Sequence, residues 1–377
     1  MRAPLKPLKP FDQALAELLA HATPLPGTDT VATSHADGRV LQQGAISPLH
    51  VPLLDNSAMD GYAVRCLDVA QVGAVLPVSQ RIPAGSVGAP LQPGTAARIF
   101  TGAPIPAGAD AVLMQEDCAA LAGPDGGQVS ISAMPQPGQW IRRAGEDIAR
   151  GAVVLPAGTR LAPAELGLAA SIGLAQLSVA RRPRVALFSS GDELAMPGEV
   201  APQDLRPGAV YNSNRFFLRA LLLRLGCEVS DLGIVPDRLD ATIEALQAAS
   251  QGHDVIVTSG GVSVGEEDHL KPAVEALGQL DLWQIAMKPG KPFAYGRMGA
   301  AGGAGAHFMG LPGNPVASFI TFLLLVRPFV LRLQGMHDVA PRSMALRADF
   351  ARPRADARRE FLRVRCNAQG GLDLFAN

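Results

Sequence analysis

At 377 residues, with 48% hydrophobic residues and a formal net charge of −1, the chain reads as a globular polypeptide of roughly two to four domains. This balance excludes a disordered protein and supplies no global field for nucleic acid or a membrane surface. Aromatics at 5% argue against a base-stacking face. Cys66, Cys118, Cys227 and Cys366 are far apart, with no C-x-x-C and no histidine at zinc spacing, so they read as free thiols in a reducing cytoplasm.

In chain order, Phe11 to Ala22 reads as an amphipathic helix, with Phe11, Leu15, Leu18 and Leu19 on one side. Asp12 and Glu17 interrupt it, so it is no signal-peptide core. Residues 27 to 150 carry short apolar runs split by proline and glycine, around 74–78, 96–100, 111–114 and 129–131, and predict a small β module. Leu161 to Val179 looks helical, with Pro163 near its start and Gly173 near its end.

From Arg181 the texture changes to alternating strands and helices. Strands are predicted at 184–188, 228–232, 255–257, 282–287, 293–297 and 307–311. Helices are predicted at 213–225, 237–249, 268–277 and 315–333. Asn212 or Ser213 caps the first helix, Gly226 stops it, and Asp237 can cap the second. Val316 to Val326 is the most apolar stretch but falls short of the ~20 residues of a membrane helix. The pattern predicts a parallel sheet with helices on both faces, which binds ligands beyond the carboxyl ends of its strands. Four polar loops fall at such ends: Ser189 to Glu193, Pro236-Asp237, Ser259 to Asp268, and Pro312-Gly313-Asn314-Pro315.

The loop Ser259-Gly260-Gly261-Val262-Ser263-Val264-Gly265-Glu266-Glu267-Asp268 combines glycine, hydroxyls and three carboxylates. Amide and hydroxyl donors suit an anion, and hard carboxylates suit Mg2+, although a glycine-rich turn with a solvated acidic helix start reads equally well. It is not a Walker A loop. Leu311-Pro-Gly-Asn-Pro315 is either an anion-attracting helix start or only a well-capped one. Lys288-Pro-Gly-Lys291-Pro292 places two cations in one turn, as an oxyanion site or a solvated turn. In the first half, Asp55 to Tyr62, Phe100 to Pro106 and Arg142 to Ile148 are polar or rigid loops, each consistent with surface decoration.

Together the segments DNSAMDGYA, RIFTGAPIP, RRAGEDI, SSGDEL, VYNSN, SGGVSVGEED, KPGKPFAYG and GLPGNPVASF resemble the MoeA family of molybdopterin molybdenumtransferases, in that family's order, over roughly residues 50 to 330. The resemblance implies a cytoplasmic transferase of molybdenum cofactor synthesis. Such an enzyme takes adenylylated molybdopterin and molybdate, cleaves the adenylate with Mg2+, inserts molybdenum into the dithiolene and releases AMP. It implies a helical and linking domain (1–26, 46–55, 150–180), an inserted β domain (27–45, 56–149), a three-layer α/β domain (181–336) and a β-barrel-like C-terminal domain (337–377). It also implies a homodimer whose active sites draw on the partner's first half. A molybdopterin adenylyltransferase and molybdoenzyme-maturation proteins are the expected partners.

Carried over, the catalytic positions are Asp60, Thr101, Asp147, Glu193, Asp237, Asp268, Lys288 and Lys291, with Glu193 and Asp268 on the metal. Substrate positions are Ser259, Gly260, Gly261, Ser263, Gly265, Glu266, Pro292, Pro312, Gly313, Asn314, Pro315 and Arg363. Asp60, Thr101 and Asp147 are expected to approach across the dimer interface. Relatives run on past the segment at Gly370 into a molybdate-binding turn, whereas this sequence stops at Asn377, so the last domain is expected to be partial. Many relatives also carry serine where Ala317 stands. The alternatives are a molybdopterin adenylyltransferase, which lacks the first half, and a gephyrin-like scaffold, which would require a peptide groove.

Overall fold

The computed structural model describes residues 8–122, 127–262, 269–299 and 305–375. The chain divides into two compact units, one drawn from Met1–Gln43, Ala157–Ala162 and Leu177–Asn377, the other from Gly44–Pro156 and Pro163–Gln176.

In the first unit, apolar runs build a six-stranded sheet in the order Glu228–Val235, Arg184–Ser190, Val255–Ser259, Ala306–Leu311, Pro292–Met298, Gly278–Gln284. Alternate residues of each central strand point to opposite faces. Val185, Leu187, Val255 and Val257 meet the helices Phe11–Ala20, Ser213–Arg224 and Arg327–Leu333. Ala186, Phe188 and Ile256 meet Leu239–Ser250 and Leu270–Leu277. The result is three layers, as the pattern predicts. The first four strands are parallel, but Pro292–Met298 runs antiparallel to both its neighbours, Ala306–Leu311 and Gly278–Gln284. The short connections 285–291 and 299–305 account for this, because parallel neighbours require a long crossover.

Asn212 caps its helix, accepting from the Arg215 amide at 3.2 Å, and Gly226 ends it at φ +86°. Asp237 does not cap the next helix, which begins at Leu239 after Arg238. The predicted helix 315–333 is continuous but contains a wide turn at Phe322–Val326, just before Pro328. Proline cannot donate to the preceding turn, and local widening accommodates it. This helix is long and apolar enough to cross a membrane, but Phe322, Leu325, Val326, Phe329 and Val330 form part of the α/β core. Toward the C-terminus, Met287–Lys288 pairs with Arg359–Glu360, and Val364–Cys366 forms a hairpin with Leu372–Leu374.

The second unit is centred on a curled six-stranded sheet in the order Ala111–Met114, Gly61–Val64, Ala96–Ile99, Val75–Ile82, Gln128–Ile131, Cys118–Leu121. It buries Tyr62, Leu113, Val129 and Ile131 in one cluster and Ala63, Ile82, Ile99 and Val112 in another. Gly61 is forced by crowding, since a Cβ there would stand 1.8 Å from the Leu113 carbonyl oxygen.

Two further expectations need correction. Thr28–Ala32 pairs with Gln176–Ala180, and Leu41 bridges to Val179, so most of segment 27–45 joins the first unit rather than the β insert. Leu161 to Val179 is helical only at Pro163–Ser171 and then becomes a strand, where Leu177 and Val179 alternate inward as a sheet period requires.

Candidate functional site

The carboxyl ends of the parallel strands converge as the sequence pattern implies. The Ser189 and Ser259 hydroxyls, on neighbouring buried strands, lie 3.0 Å apart. The Gly260 amide donates to the Leu311 carbonyl at 3.1 Å, fastening the glycine loop to the strand that leads into Pro312. A Cβ on Gly260 would come within 2.4 Å of the Ser190 carbonyl oxygen, so only glycine lets the two strand ends approach this closely. Gly261 also takes a positive φ, +65°. Asn214 donates to the Gly313 carbonyl at 2.8 Å, tying a fourth loop to the same edge. Asn314 caps the following helix, accepting from the Ala317 amide at 3.0 Å, with Pro315 at the first helical position.

The acidic side of this edge is built from two loops. The Asp237 amide donates to the Asp192 carboxylate at 3.1 Å, so the turn after Val235 is held by the turn after Ser190. Glu193 is exposed, its carboxylate folded back over Gly191, where a Cβ would meet it at 2.5 Å. An open cavity of about 480 Å3 beside Asp237 is lined by Arg238, Leu239, Asp240, Ile243 and His269. Ser263, Gly265, Glu266 and Asp268 lie outside the described residues. Among the described residues no three acidic, histidine or cysteine side chains converge as a metal cage. Mg2+ keeps several waters and needs only one or two carboxylates, a donor set that exposed Glu193 fits.

The two lysines part company. Lys288 is paired to Glu360 at 2.8 Å, with Asp356 at 3.6 Å, because the strand pairing sets Glu360 beside it. Lys291 is exposed and has no ion-pair partner among the described residues, while its carbonyl accepts from the Ile285 amide at 2.8 Å. Pro292 opens the strand that follows. Gly290 packs against the helix start, a Cβ there meeting Thr321 Oγ1 at 2.6 Å. Arg363 lies over the Phe375 ring at 5.5 Å. Ala317 and Ser318 are both buried.

In the second unit the three polar loops of the first half interlock. Asp60 accepts from both the amide and the hydroxyl of Thr101, each at 2.8 Å. The Thr101 amide and then its hydroxyl hold the Asp60 carboxyl below the usual range. Asp55 accepts from the Ala144 amide at 2.8 Å and from Arg143 at 2.6 Å. Asn56–Ser57 pairs with Ile141–Arg142, and Arg142 chelates Asp147 at 2.6 and 2.5 Å. Asp60, Thr101 and Asp147 are thus anchored in one hydrogen-bonded framework.

Sequence reasoning read Asn212 only as a helix cap and gave no role to Asn214 or to the Asp55–Arg143 pair. Their signal was the position of N-S-N at a helix start and of two arginines following an acidic loop. Several buried polar atoms at the carboxyl edge have no hydrogen-bond partner among the described residues: Asn212 Nδ2, Asn214 Oδ1, Thr258 Oγ1, Ser318 Oγ and Thr321 Oγ1. Such atoms are rare in folded proteins, and each calls for a partner such as a ligand or an ordered water.

Known proteins are similar to this chain in sequence and fold. Residues 9–173 match the family described as MoeA N-terminal region (domain I and II), and residues 186–332 match a probable molybdopterin binding domain. A molybdopterin molybdenumtransferase of Haemophilus influenzae is 43% identical over 326 residues, covering 86% of this chain and 78% of the relative. Molybdopterin molybdenumtransferase 2 of Mycobacterium tuberculosis is 37% identical over 382 residues, covering 97% and 89%. The crystal structure of a molybdopterin biosynthesis moeA protein from Pyrococcus horikoshii superposes with a TM-score of 0.82 at 27% identity, covering 98% of this chain and 90% of that one.

Proposed function

The chain belongs to the molybdopterin molybdenumtransferase family, and from that premise we propose that it completes the molybdenum cofactor by inserting molybdenum into adenylylated molybdopterin. In this reading molybdate supplies the metal and AMP leaves. The observation that carries it is the convergence of four loops at the carboxyl edge of the parallel strands, fixed by the Ser189–Ser259, Gly260–Leu311 and Asn214–Gly313 hydrogen bonds.

The roles follow from chemistry. Lys291, whose ammonium has no ion-pair partner among the described residues, attracts molybdate or the phosphate of the adenylate. Lys288 is paired with Glu360, so it orders the C-terminal segment beside the site. Glu193, with Asp268, would hold Mg2+, which neutralises phosphate charge when bound. Asp192 and Asp237 position water at the same edge. Asp60 and Thr101 form a rigid acceptor and donor pair suited to orienting a polar group of the pterin. The C-terminal segment 337–377 would form part of a β-barrel-like domain.

We further propose a cytoplasmic homodimer in which Asp60, Thr101 and Asp147 of one protomer serve the α/β site of its partner. Co-expressing Asp60→Ala with Lys291→Ala tests this. Each variant alone should be nearly inactive, whereas random pairing should restore about a quarter of the sites. No restoration in a proven heterodimer would exclude sharing. The function itself is tested by incubating the purified chain with adenylylated molybdopterin, molybdate and Mg2+. AMP release and reconstitution of an apo-molybdoenzyme are expected, both abolished by chelating the cation. Accumulation of adenylylated molybdopterin from molybdopterin and ATP would instead favour the adenylyltransferase alternative.

A further inference from the structure

A second concavity lies at the opposite edge of the α/β sheet. Arg182 stands just before the strand Arg184–Ser190, and Arg224 just before the strand Glu228–Val235, so both mark the amino ends of the strands. With Arg39, Arg160, Leu161 and Leu223 they line a cavity of about 490 Å3. The strand Arg184–Ser190 has 7 residues and spans roughly 23 Å, which separates this cavity from the loop at Gly191.

The charge of this cavity is unbalanced. Arg39 is committed to Asp29 at 2.5 Å and to the Ala180 carbonyl at 2.9 Å. Arg160 is fixed by neutral acceptors only, donating to the Arg224 carbonyl at 2.8 Å and the Gly38 carbonyl at 3.4 Å. Arg182 reaches the Gly226 carbonyl at 3.4 Å. Among the described residues, none of Arg160, Arg182 and Arg224 has a carboxylate at ion-pair distance. Asp37 is the one acidic residue in the lining. The neighbouring acids are already engaged, Asp254 by Arg181 and Glu228 by Arg184. A concave wall lined by one sign of charge concentrates counter-ions, and a planar guanidinium matches phosphate oxygens in pairs. The volume is that of a small-molecule site.

We propose that this cavity binds a phosphate-bearing small molecule, its phosphate held among Arg160, Arg182 and Arg224 and its apolar part over Leu161 and Leu223. The site is independent of the transferase reading, because it shares no residue with the carboxyl-edge loops. The position also makes it suited to report a phosphorylated metabolite to the unit without blocking the substrate site.

The test uses the full chain and titration calorimetry with inorganic pyrophosphate, then with ADP. Pyrophosphate should bind saturably and weaken as salt rises. Arg182→Gln and Arg224→Gln should each raise Kd about tenfold or more, with melting curves verifying the fold. These two replacements break only a long bond to a carbonyl, so molybdenum insertion without pyrophosphate should be unchanged. Lys291→Ala should leave pyrophosphate binding intact. Unaltered binding in both arginine variants, or loss of binding in Lys291→Ala alone, would overturn the assignment. ADP binding more tightly than pyrophosphate supports the apolar contact, and equal affinities would remove that part of the proposal.

Discussion

Replacing Gly260 by alanine isolates what the close approach of two strand ends contributes to the site. Gly260 has φ +92°, and its added Cβ would lie 2.4 Å from the Ser190 carbonyl oxygen. Gly252, in the same unit, has φ +91° with nothing within 4 Å of the added Cβ. Both alanines meet the left-handed backbone penalty, about 1–2 kcal/mol, partly offset by a less flexible unfolded chain. Only Gly260→Ala adds a clash, and with the backbone of a buried strand rather than with a side chain that can swing away. Relieving a roughly 1 Å overlap in a well-packed interior costs about 1–3 kcal/mol. Gly260→Ala should therefore melt about 4–8 °C below Gly252→Ala, reading ~2 kcal/mol at about 2–4 °C each. The same shift moves Ser190, Gly191 and the Ser259 hydroxyl, and a displacement of about 1 Å at reacting groups lowers turnover roughly 100-fold. Differential scanning fluorimetry and AMP release measure the two effects. If the variants melt together and Gly260→Ala turns over normally, tight strand apposition is not what builds this site.

The lysines give a ranked prediction. Lys291→Ala should lower kcat/KM for molybdate about 100-fold, leaving it nearly inactive, with stability within about 0.5 kcal/mol, whereas Lys288→Ala should lower it less and loosen the C-terminal segment. The reverse order would refute the division of roles. Asp254 receives Arg181 at 2.7 Å through both oxygens and the Arg184 amide at 2.8 Å. Burial raises its pKa, but the Arg181 and Arg184 bonds outweigh burial and hold it below the ordinary 3.8. The folded state therefore binds fewer protons than the unfolded one in acid. The stabilisation is complete above about pH 5 and is lost as pH falls through the folded value. Asp254→Asn should cost about 1–3 kcal/mol at pH 7 in urea unfolding, with the gap to the parent closing below pH 4. A gap that widened in acid would reverse the sign.

Much of this was legible because burial writes itself into short strands. Val255-Ile256-Val257 and Val185-Ala186-Leu187-Phe188 are apolar on both faces, so their place inside a covered sheet and the ligand edge beyond Ser190 and Ser259 follow from period and punctuation. Polarity of pairing is not encoded that way. The strands 278–284 and 292–298, whose pairing is antiparallel, carry no sign of direction beyond the length of the loops joining them. Long-range pairing is equally silent: nothing near Lys288 announces Glu360, which arrives through a bridge to Arg359–Glu360. The Asp60–Thr101 pair is likewise made by two loops about forty residues apart, and only the fold brings them together.

The orphaned polar atoms carry a last consequence. Thr258 is fully buried, one residue from the carboxyl end of its strand, and its hydroxyl has no hydrogen-bond partner among the described residues. A buried, unsatisfied hydroxyl costs about 1–3 kcal/mol, and valine has nearly the same shape without it. Selection for stability alone would favour valine, which also suits a strand better. Keeping threonine beside Ser259 makes sense if the hydroxyl meets substrate. Thr258→Val should raise the melting temperature by about 2–4 °C while lowering turnover. The measurement is paired, melting and AMP release on the same preparation. A variant that is destabilised would show that Thr258 Oγ1 is satisfied within the protein. One that is stabilised and fully active would show that the hydroxyl does not serve the reaction, and the unpaired atoms at this edge could no longer be read as waiting for ligand.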